Sequence, residues 1–437
     1  MAPVRGRLTL FPTLPLPMRV LLVTAGEPLP SDRPDIRLHR TGQLAAWLAA
    51  RGHEVDWVTN RFDHFRKVHR EGPDTIEISP SYRIHLLNSR GYRRNISIAR
   101  LLDHADLGRE FQRRAAQFGS SDVVLAAMPT IELACEAVAW AKVRRVPSIV
   151  DIRDLWPDLF VERVPRGARW VARAALWNLE RKLQTAMRGA DGIIGPTPGF
   201  VDWGVARACR AAGSLDATIP LGYELRDLSA TERMGAVEFW RKKGLSLGPG
   251  GPQVMAFAGS VSSQFDFKPL LAAGAMLRER GVRLVVCGTG EQLPLLTRAA
   301  GDHRELLVAG WCSYGQLRVL LEHATVGLLP YHDSLNFRPH VPNKAGEYLA
   351  HGLPLAWSLG SGRLAEIIAQ RGVGVSYHGD GTALAAAVAD FLDKPEHLAT
   401  ARAAATKLFY EEFDAEQVHL RLLDHLQRGI AARQAAA

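Results

Sequence analysis

Short apolar runs alternate with amphipathic stretches along most of the chain. MRVLLVTA (Met18–Ala25) suits a buried strand, QLAAWLAARG has helical spacing and stops at Gly52, and HEVDWVT supplies the next strand. The alternation returns at DVVLAAM, IELACEAVAWAKV, PSIVDIRD and DGIIGPT, while NISIARLLDHADLGREFQRRAAQ reads mostly helical. A second series begins with QVMAFAGS at Gln253. It continues through PLLAAGAMLRERG, VRLVVCGTG, a helix near Gln292–Ala300, LLVAG, YGQLRVLLEHA and TVGLLP. PNKAGEYLA, PLAWSL, RLAEIIAQRG, VGVSY and two terminal helices complete it. Continuous apolar strands separated by helices predict parallel sheets covered on both faces.

The chain has 437 residues, more than one hydrophobic core usually serves. The two series therefore predict an α/β protein of two Rossmann-like, doubly wound domains, with ligands in a cleft at the carboxyl ends of the strands. The first domain is placed at 18–215 and the second at 216–405. A helical segment at 406–430 is expected to pack back toward the first. GLSLGPGGP (Gly244–Pro252) breaks the periodicity and reads as an alternative linker or a loop. Met1–Pro17 is basic and then apolar, but its prolines break any signal helix and no clear cleavage site follows. It reads as a loose leader or an overlong start.

Composition narrows the partners. A net charge of +9 favours an anionic one. No apolar run reaches transmembrane length. Cys135, Cys209, Cys287 and Cys312 lack C-x-x-C spacing and read as reduced core residues of a cytoplasmic protein.

The run PHVPNKAGEYLAHGLP (Pro339–Pro354) holds the main candidate chemistry. Pro342 suits a helix start and Gly352 its end, yet Lys344 sits in the first turn, where the helix field disfavours a cation. A diphosphate there would accept N–H bonds from the Asn343 and Lys344 region and compensate the ammonium. Glu347, one turn on, could accept from a ribose diol. The alternative is a solvated lysine and a surface glutamate on a packing helix. Gly259 and Ser260, Gly288 and Gly290, and Gly360 and Gly362 follow strands, where glycine lets backbone N–H groups approach phosphate.

In the first half, DIRDLWPD (Asp151–Asp158) puts Asp151, Arg153 and Asp154 where an apolar strand ends. So many charges are expensive to bury unless they pair or meet ligand. They line a site, or they brace a loop as an Asp–Arg pair. The chain has no phosphate-loop signature, no G-x-G-x-x-G after the first strand, no H-E-x-x-H and no D-x-D, and it lacks the strand-turn setting of a nucleophile elbow. No metal site is expected.

Taken together, RGHEVDWVTNRFDHFRKVHR, HLLNSRGYRRNISIARLLDH, DIRDLWPD, ADGIIGPT, FAGSVSSQFD and PNKAGEYLAHGLP resemble the retaining GT-B glycosyltransferases of family 4. The resemblance runs from about Met18 to Leu426. It is nearest the capsule and O-antigen branch that includes fucosamine transferases. It implies a GT-B fold with the acceptor on the first domain and a nucleotide-sugar donor, UDP-linked, on the second. Glu347 then matches the ribose-binding glutamate, Asn343 and Lys344 the diphosphate contacts, and Gly259 and Ser260 a loop near the donor phosphate. Lys268 matches the usual phosphate lysine, without the common K-G pattern. A second glutamate common in the wider group falls at Pro339, so that carboxylate pair is incomplete. The glycine-rich acceptor loop is also replaced, by GEPLPSDRPDIRLHR.

The implied reaction moves a sugar from a nucleoside diphosphate to a saccharide or polyprenyl-diphosphate-linked saccharide, with retention, in surface polysaccharide synthesis. Asp151, Arg153 and Asp154 are the expected catalytic group. No cofactor beyond the donor substrate, and no nucleic acid, is expected. A GT-B sugar-nucleotide epimerase and a non-catalytic nucleotide-sugar binding protein are the alternatives. RGARWVARAALWNLERKLQTAMRG (Arg166–Gly189) reads as one long helix. Its tryptophans and arginines could hold the protein on the inner face of the cytoplasmic membrane, or could pack inward and face water respectively.

Overall fold

The computed structural model describes residues 17–33, 36–248 and 250–435. The expected leader lies outside them up to position 16. Strands β1 (Arg19–Val23), β2 (Glu54–Asn60), β3 (Phe62–Asp63), β4 (Val68–His69), β5 (Thr75–Ser79), β6 (Tyr82–Leu87), β7 (Val123–Ala127), β8 (Ser148–Asp151), β9 (Gly192–Gly195) and β10 (Ala217–Thr218) come first. They are followed by β11 (Gln253–Ala258), β12 (Val282–Cys287), β13 (Leu306–Gly310), β14 (Val326–Leu329), β15 (Leu355–Trp357) and β16 (Gly374–Ser376). The eight-stranded sheet is ordered β10-β9-β8-β7-β1-β2-β6-β5, and β3 and β4 form a separate hairpin. Edge strand β5 is antiparallel to β6, whereas β1 pairs in parallel with both β2 and β7.

The second sheet is ordered β13-β12-β11-β14-β15-β16, and all its pairings are parallel. Counted from β11 this is 3-2-1-4-5-6, the doubly wound order, which reverses between β11 and β14. Neighbouring crossovers leave in opposite directions there, so a crevice opens at the carboxyl ends of those two strands.

Two compact units divide the chain. One runs to Val150 and takes in Gly189–Asp191 and the chain end from Gly429; the other comprises Asp151–Arg188 and Gly192–Arg428. In the second, Phe257, Phe265, Tyr348 and Trp357 are core residues of one apolar cluster. Trp240, from helix Ala230–Lys242, joins the same core, so the described residues of GLSLGPGGP connect that helix to β11 within one unit.

Three expectations are corrected. Arg166–Gly189 is not one helix: a short turn at Arg166–Ala168 leads to helix Arg169–Ala175, and a second helix, Trp177–Gly189, follows Leu176 at φ −95° and ψ 6°. Helix Arg169–Ala175 buries no side chain, while Trp177–Gly189 buries Leu179, Leu183, Ala186 and Met187, so only the second has a face that fixes its direction. Cys209 is exposed rather than in the core, because it ends helix Pro198–Ala208 in a left-handed conformation at φ 51°. The terminal helices number three, Gly381–Asp393, Pro395–Leu408 and Ala415–Ala435. Pro395 cannot continue the first of them, and a π turn at Phe409–Phe413 separates the others.

Candidate functional site

Helix Asn343–Ala350 starts where β14 has ended and its loop has returned, with Pro342 as N-cap at φ −62° and ψ 148°. In its first turn the Ala345 N–H donates back to the Pro342 carbonyl at 2.8 Å. Tyr348 fixes its position. The buried hydroxyl accepts from the Ala258 N–H of β11 at 2.9 Å and donates to the Leu328 carbonyl of β14 at 3.4 Å. β11 and β14 pair only at Met255–Val326 and Ala256–Gly327, so the phenol spans the strands where they separate. Gly327 is required beneath it, since a Cβ there would overlap the ring.

Lys344 reaches back from this helix to the end of β11. Gly259, at φ +137°, lies so close that a Cβ would run into the Lys344 Nζ and Cε. The ammonium also sits 4.9 Å from the centre of the Phe265 ring and 5.5 Å from that of Phe257, where the ring faces attract a cation. Glu347 is buried one turn on and accepts from the Tyr223 hydroxyl at 3.3 Å. Asn343 and Ser260 are exposed.

The strand-end loops beside Gly259 are joined backbone to backbone. The Gly259 N–H donates to the Cys287 carbonyl at 2.9 Å, Val261 N–H to Thr289 at 2.8 Å, and Gly288 N–H to Gly310 at 2.6 Å. Lys268 stands apart as the exposed first residue of helix Lys268–Leu277, where its backbone N–H donates to Asp266 at 3.0 Å.

Asp151, at the end of β8, is fully buried and accepts from the Arg153 guanidinium at 2.8 Å. Asp154 accepts from the Asn336 amide at 3.2 Å, and the Asn336 carbonyl oxygen accepts from the Leu155 N–H at 3.4 Å. The same loop, which leads into helix Asn343–Ala350, is held at two more places. Glu162 accepts the Leu335 N–H at 2.7 Å, and the Thr197 hydroxyl donates to the Pro339 carbonyl at 2.6 Å. His340 packs on Phe200, and burial pushes its pKa down to about 4, so it is neutral near pH 7.

Lys344 and Gly259 are thus in contact, with Glu347 on the same helix, and Arg153 pairs with Asp151. Sequence reasoning missed Tyr348, Tyr223 and Asn336. It also missed Trp311, which is exposed just after β13 although tryptophan seldom stays in water unpartnered. Its signal was a large aromatic directly after a strand-end glycine. In β1's unit, the buried Glu27 carboxylate caps helix Arg40–Ala49. It accepts from the Thr41 N–H at 3.1 Å and the Thr41 hydroxyl at 2.7 Å. Among the described residues no group of three or more His, Cys, Asp or Glu side chains could hold a metal ion, and no helix is long and apolar enough to cross a membrane.

Two Rossmann-like lobes, each built on a largely parallel sheet, match the GT-B fold. Residues 39–213 match the family described as glycosyl transferase 4-like domain, and residues 252–394 match glycosyl transferases group 1. The chain is accordingly a glycosyltransferase, related to the GT4 and GT1 enzymes. No curated protein matches it. Among solved structures, sucrose-phosphate synthase from Thermosynechococcus elongatus superposes with a TM-score of 0.68 at 17% identity, covering 95% of this chain and 100% of that one. Anabaena HepE in complex with UDP gives 0.63 at 13%, covering 94% and 100%. WaaG, a glycosyltransferase involved in lipopolysaccharide biosynthesis, gives 0.62 at 13%, covering 94% and 99%. At such identities the likeness is one of fold.

Proposed function

We propose that the protein transfers a sugar from a UDP-linked donor, with retention, to a hydroxyl of a saccharide or polyprenyl-diphosphate-linked saccharide. Its setting would be bacterial surface polysaccharide synthesis, in the capsule and O-antigen branch. The observation that carries this reading is the Lys344 ammonium held against Gly259 at the switch point, with Glu347 buried one turn further along the same helix. The donor diphosphate lies at the start of helix Asn343–Ala350, near Asn343, Ser260 and Gly259, with Lys344 neutralising it. Glu347 takes the ribose diol, and Lys268 is a peripheral phosphate contact. Trp311 offers a stacking face for the base.

Bond breaking puts negative charge on the leaving phosphate, which Lys344 and the helix N–H groups stabilise. That phosphate can take the acceptor's proton on the same face, so no second carboxylate is needed at Pro339. Residues 18–215 serve the acceptor, 216–405 the donor, and 406–430 brace the first. Asp151, Arg153 and Asp154 act at the acceptor side of the sugar. Exposed Trp170 and Trp177, with Arg169, Arg173 and Arg181, support peripheral attachment to the inner face of the cytoplasmic membrane. The test is a panel of nucleotide sugars assayed for protection against heat, followed by transfer to a lipid-linked acceptor. UDP-sugars should raise the unfolding temperature and support transfer. A panel in which no UDP compound protects sinks the donor assignment.

A further inference from the structure

A second surface, on the unit built around β1, carries exposed apolar side chains beside uncompensated positive charge. Residues 64–70 and 92–102 contain no Asp or Glu. The two segments are one surface: the Lys67 ammonium donates to Asn95 and lies 4.6 Å over the Tyr92 ring, and His64 and Tyr92 share a 2.6 Å hydrogen bond. From it project Phe65 at 57% exposure, Val68 at 44%, Ile96 at 47%, Ile98 at 76% and Leu102 at 44%. Arg66, Arg93 and Arg94 are exposed among them and form no ion pair with any described residue.

Two of the flanking carboxylates are turned inward, whereas Glu71 beyond Arg70 is exposed. Buried Asp63 accepts the N–H groups of Phe65 and Arg66 at 2.8 and 2.9 Å, and buried Asp103 accepts that of Gly91 at 2.7 Å. The two segments therefore hold Asp63 and Asp103 underneath and show water mainly cations and hydrocarbon, with exposed Glu71 at their edge. Single exposed apolar residues are ordinary, but a group of five beside unpaired arginines is not. A nucleic-acid surface would interleave aromatic rings for base stacking, and here four of the five apolar groups are aliphatic.

We infer that this surface seats the protein on an anionic bilayer. Phe65 and Ile98 enter the boundary between headgroups and acyl chains, and Arg66, Arg93 and Arg94 meet lipid phosphates. The inference takes its purpose from the proposal of a lipid-linked acceptor, but its evidence is separate, as is the segment concerned from Arg166–Gly189.

Flotation of the full chain tests it, with phosphatidylcholine vesicles prepared with and without phosphatidylglycerol. The protein should float with the anionic vesicles at low salt, and less at high salt. Each arginine removed should lower partitioning about fivefold, so Arg66→Gln/Arg93→Gln/Arg94→Gln should lower it about a hundredfold. Phe65→Ser/Ile98→Ser should also release the protein, while Arg169→Gln/Arg173→Gln/Arg181→Gln retains the part contributed here. Circular dichroism and protection by UDP, measured on each variant, should match the parent. The inference is overturned if the parent does not float, if the first triple variant floats like the parent, or if the Arg169 triple alone abolishes flotation. Loss of UDP protection in a parent that still floats removes the donor reading and leaves this one standing.

Discussion

The Lys344 side chain occupies the space that a Cβ on Gly259 would need. A cation at the positive end of a helix is thereby held over two phenylalanine rings and beside the end of β11, which tightly couples the identities of the two residues. Gly259→Ala would meet both this overlap and a φ of +137° that disfavours a side chain, so Lys344 must move. Affinity for UDP should fall about tenfold or more, while affinity for uridine changes little. Lys344→Met should do the same. Calorimetry with both ligands checks it, and equal losses for uridine and UDP would place Lys344 away from phosphate.

Glu347→Ala should weaken UDP about ten- to hundredfold, the range for losing hydrogen bonds to a charged group. Glu347→Gln should lose less, because its carbonyl oxygen can still accept. Tyr223→Phe, which removes the 3.3 Å hydrogen bond to Glu347, should have a smaller effect in the same direction. Unchanged affinity in folded Glu347→Ala would end the ribose assignment.

Asp154→Ala and Asn336→Ala should each lower turnover by at least tenfold while moving the unfolding temperature by only a few degrees, since the bond they share lies at a loop. The double variant should lose less than the two single losses combined, because Asn336 and Asp154 share one hydrogen bond. Arg153→Ala should lower turnover too. It also takes a guanidinium from fully buried Asp151, so some stability should go with it. Additive losses from Asp154 and Asn336 would separate the two roles.

Stability should fall on mild acidification. Burial lowers the pKa of His104 to about 3, aided by the charges of Arg100 and His64, and burial likewise lowers His64 and His340 to about 4. The unfolded chain takes these protons near pH 6.5 and the folded chain does not, so stability is lost as pH falls from about 6.5 towards 4. Each histidine contributes a slope of about 1.4 kcal/mol per pH unit in that window. Asp56 and Asp216 have lowered carboxyl pKa values, so their contribution is present above the ordinary range and disappears only at still lower pH. Urea unfolding from pH 7 to 5 checks the slope, and His340→Asn should reduce it by about one proton. A flat profile would show that these imidazoles are hydrated.

Much of this was legible in the sequence, for a physical reason. Strands buried on both faces read as continuous apolar runs, which is why β1, β7, β11, β12 and β14 fall within the runs that predict them and β2 overruns its own by one residue. Edge strand β5 has the mostly exposed sequence TIEIS, and its turn into β6 left no such signal. Lys344 and Glu347 stood out because their charges sit badly in a packing helix. Their partners did not, since Gly259 is 85 positions away and Tyr223 is 124. The break at Leu176 was hidden because helix-forming residues flank it on both sides, and burial rather than propensity decides where the second helix starts.

Glu27 decides how the helix start of the β1 unit meets an anion. Both sheets place a helix after their first strand or beside the switch point, and helix starts of that kind attract anions wherever they are left open. In the β1 unit the protein supplies the anion itself: the Glu27 carboxylate already takes the Thr41 N–H and hydroxyl that a phosphate would otherwise claim. Two halves of like architecture are thereby made unequal. An anion arriving at the helix start beside Glu27 finds its place already taken by the chain's own carboxylate.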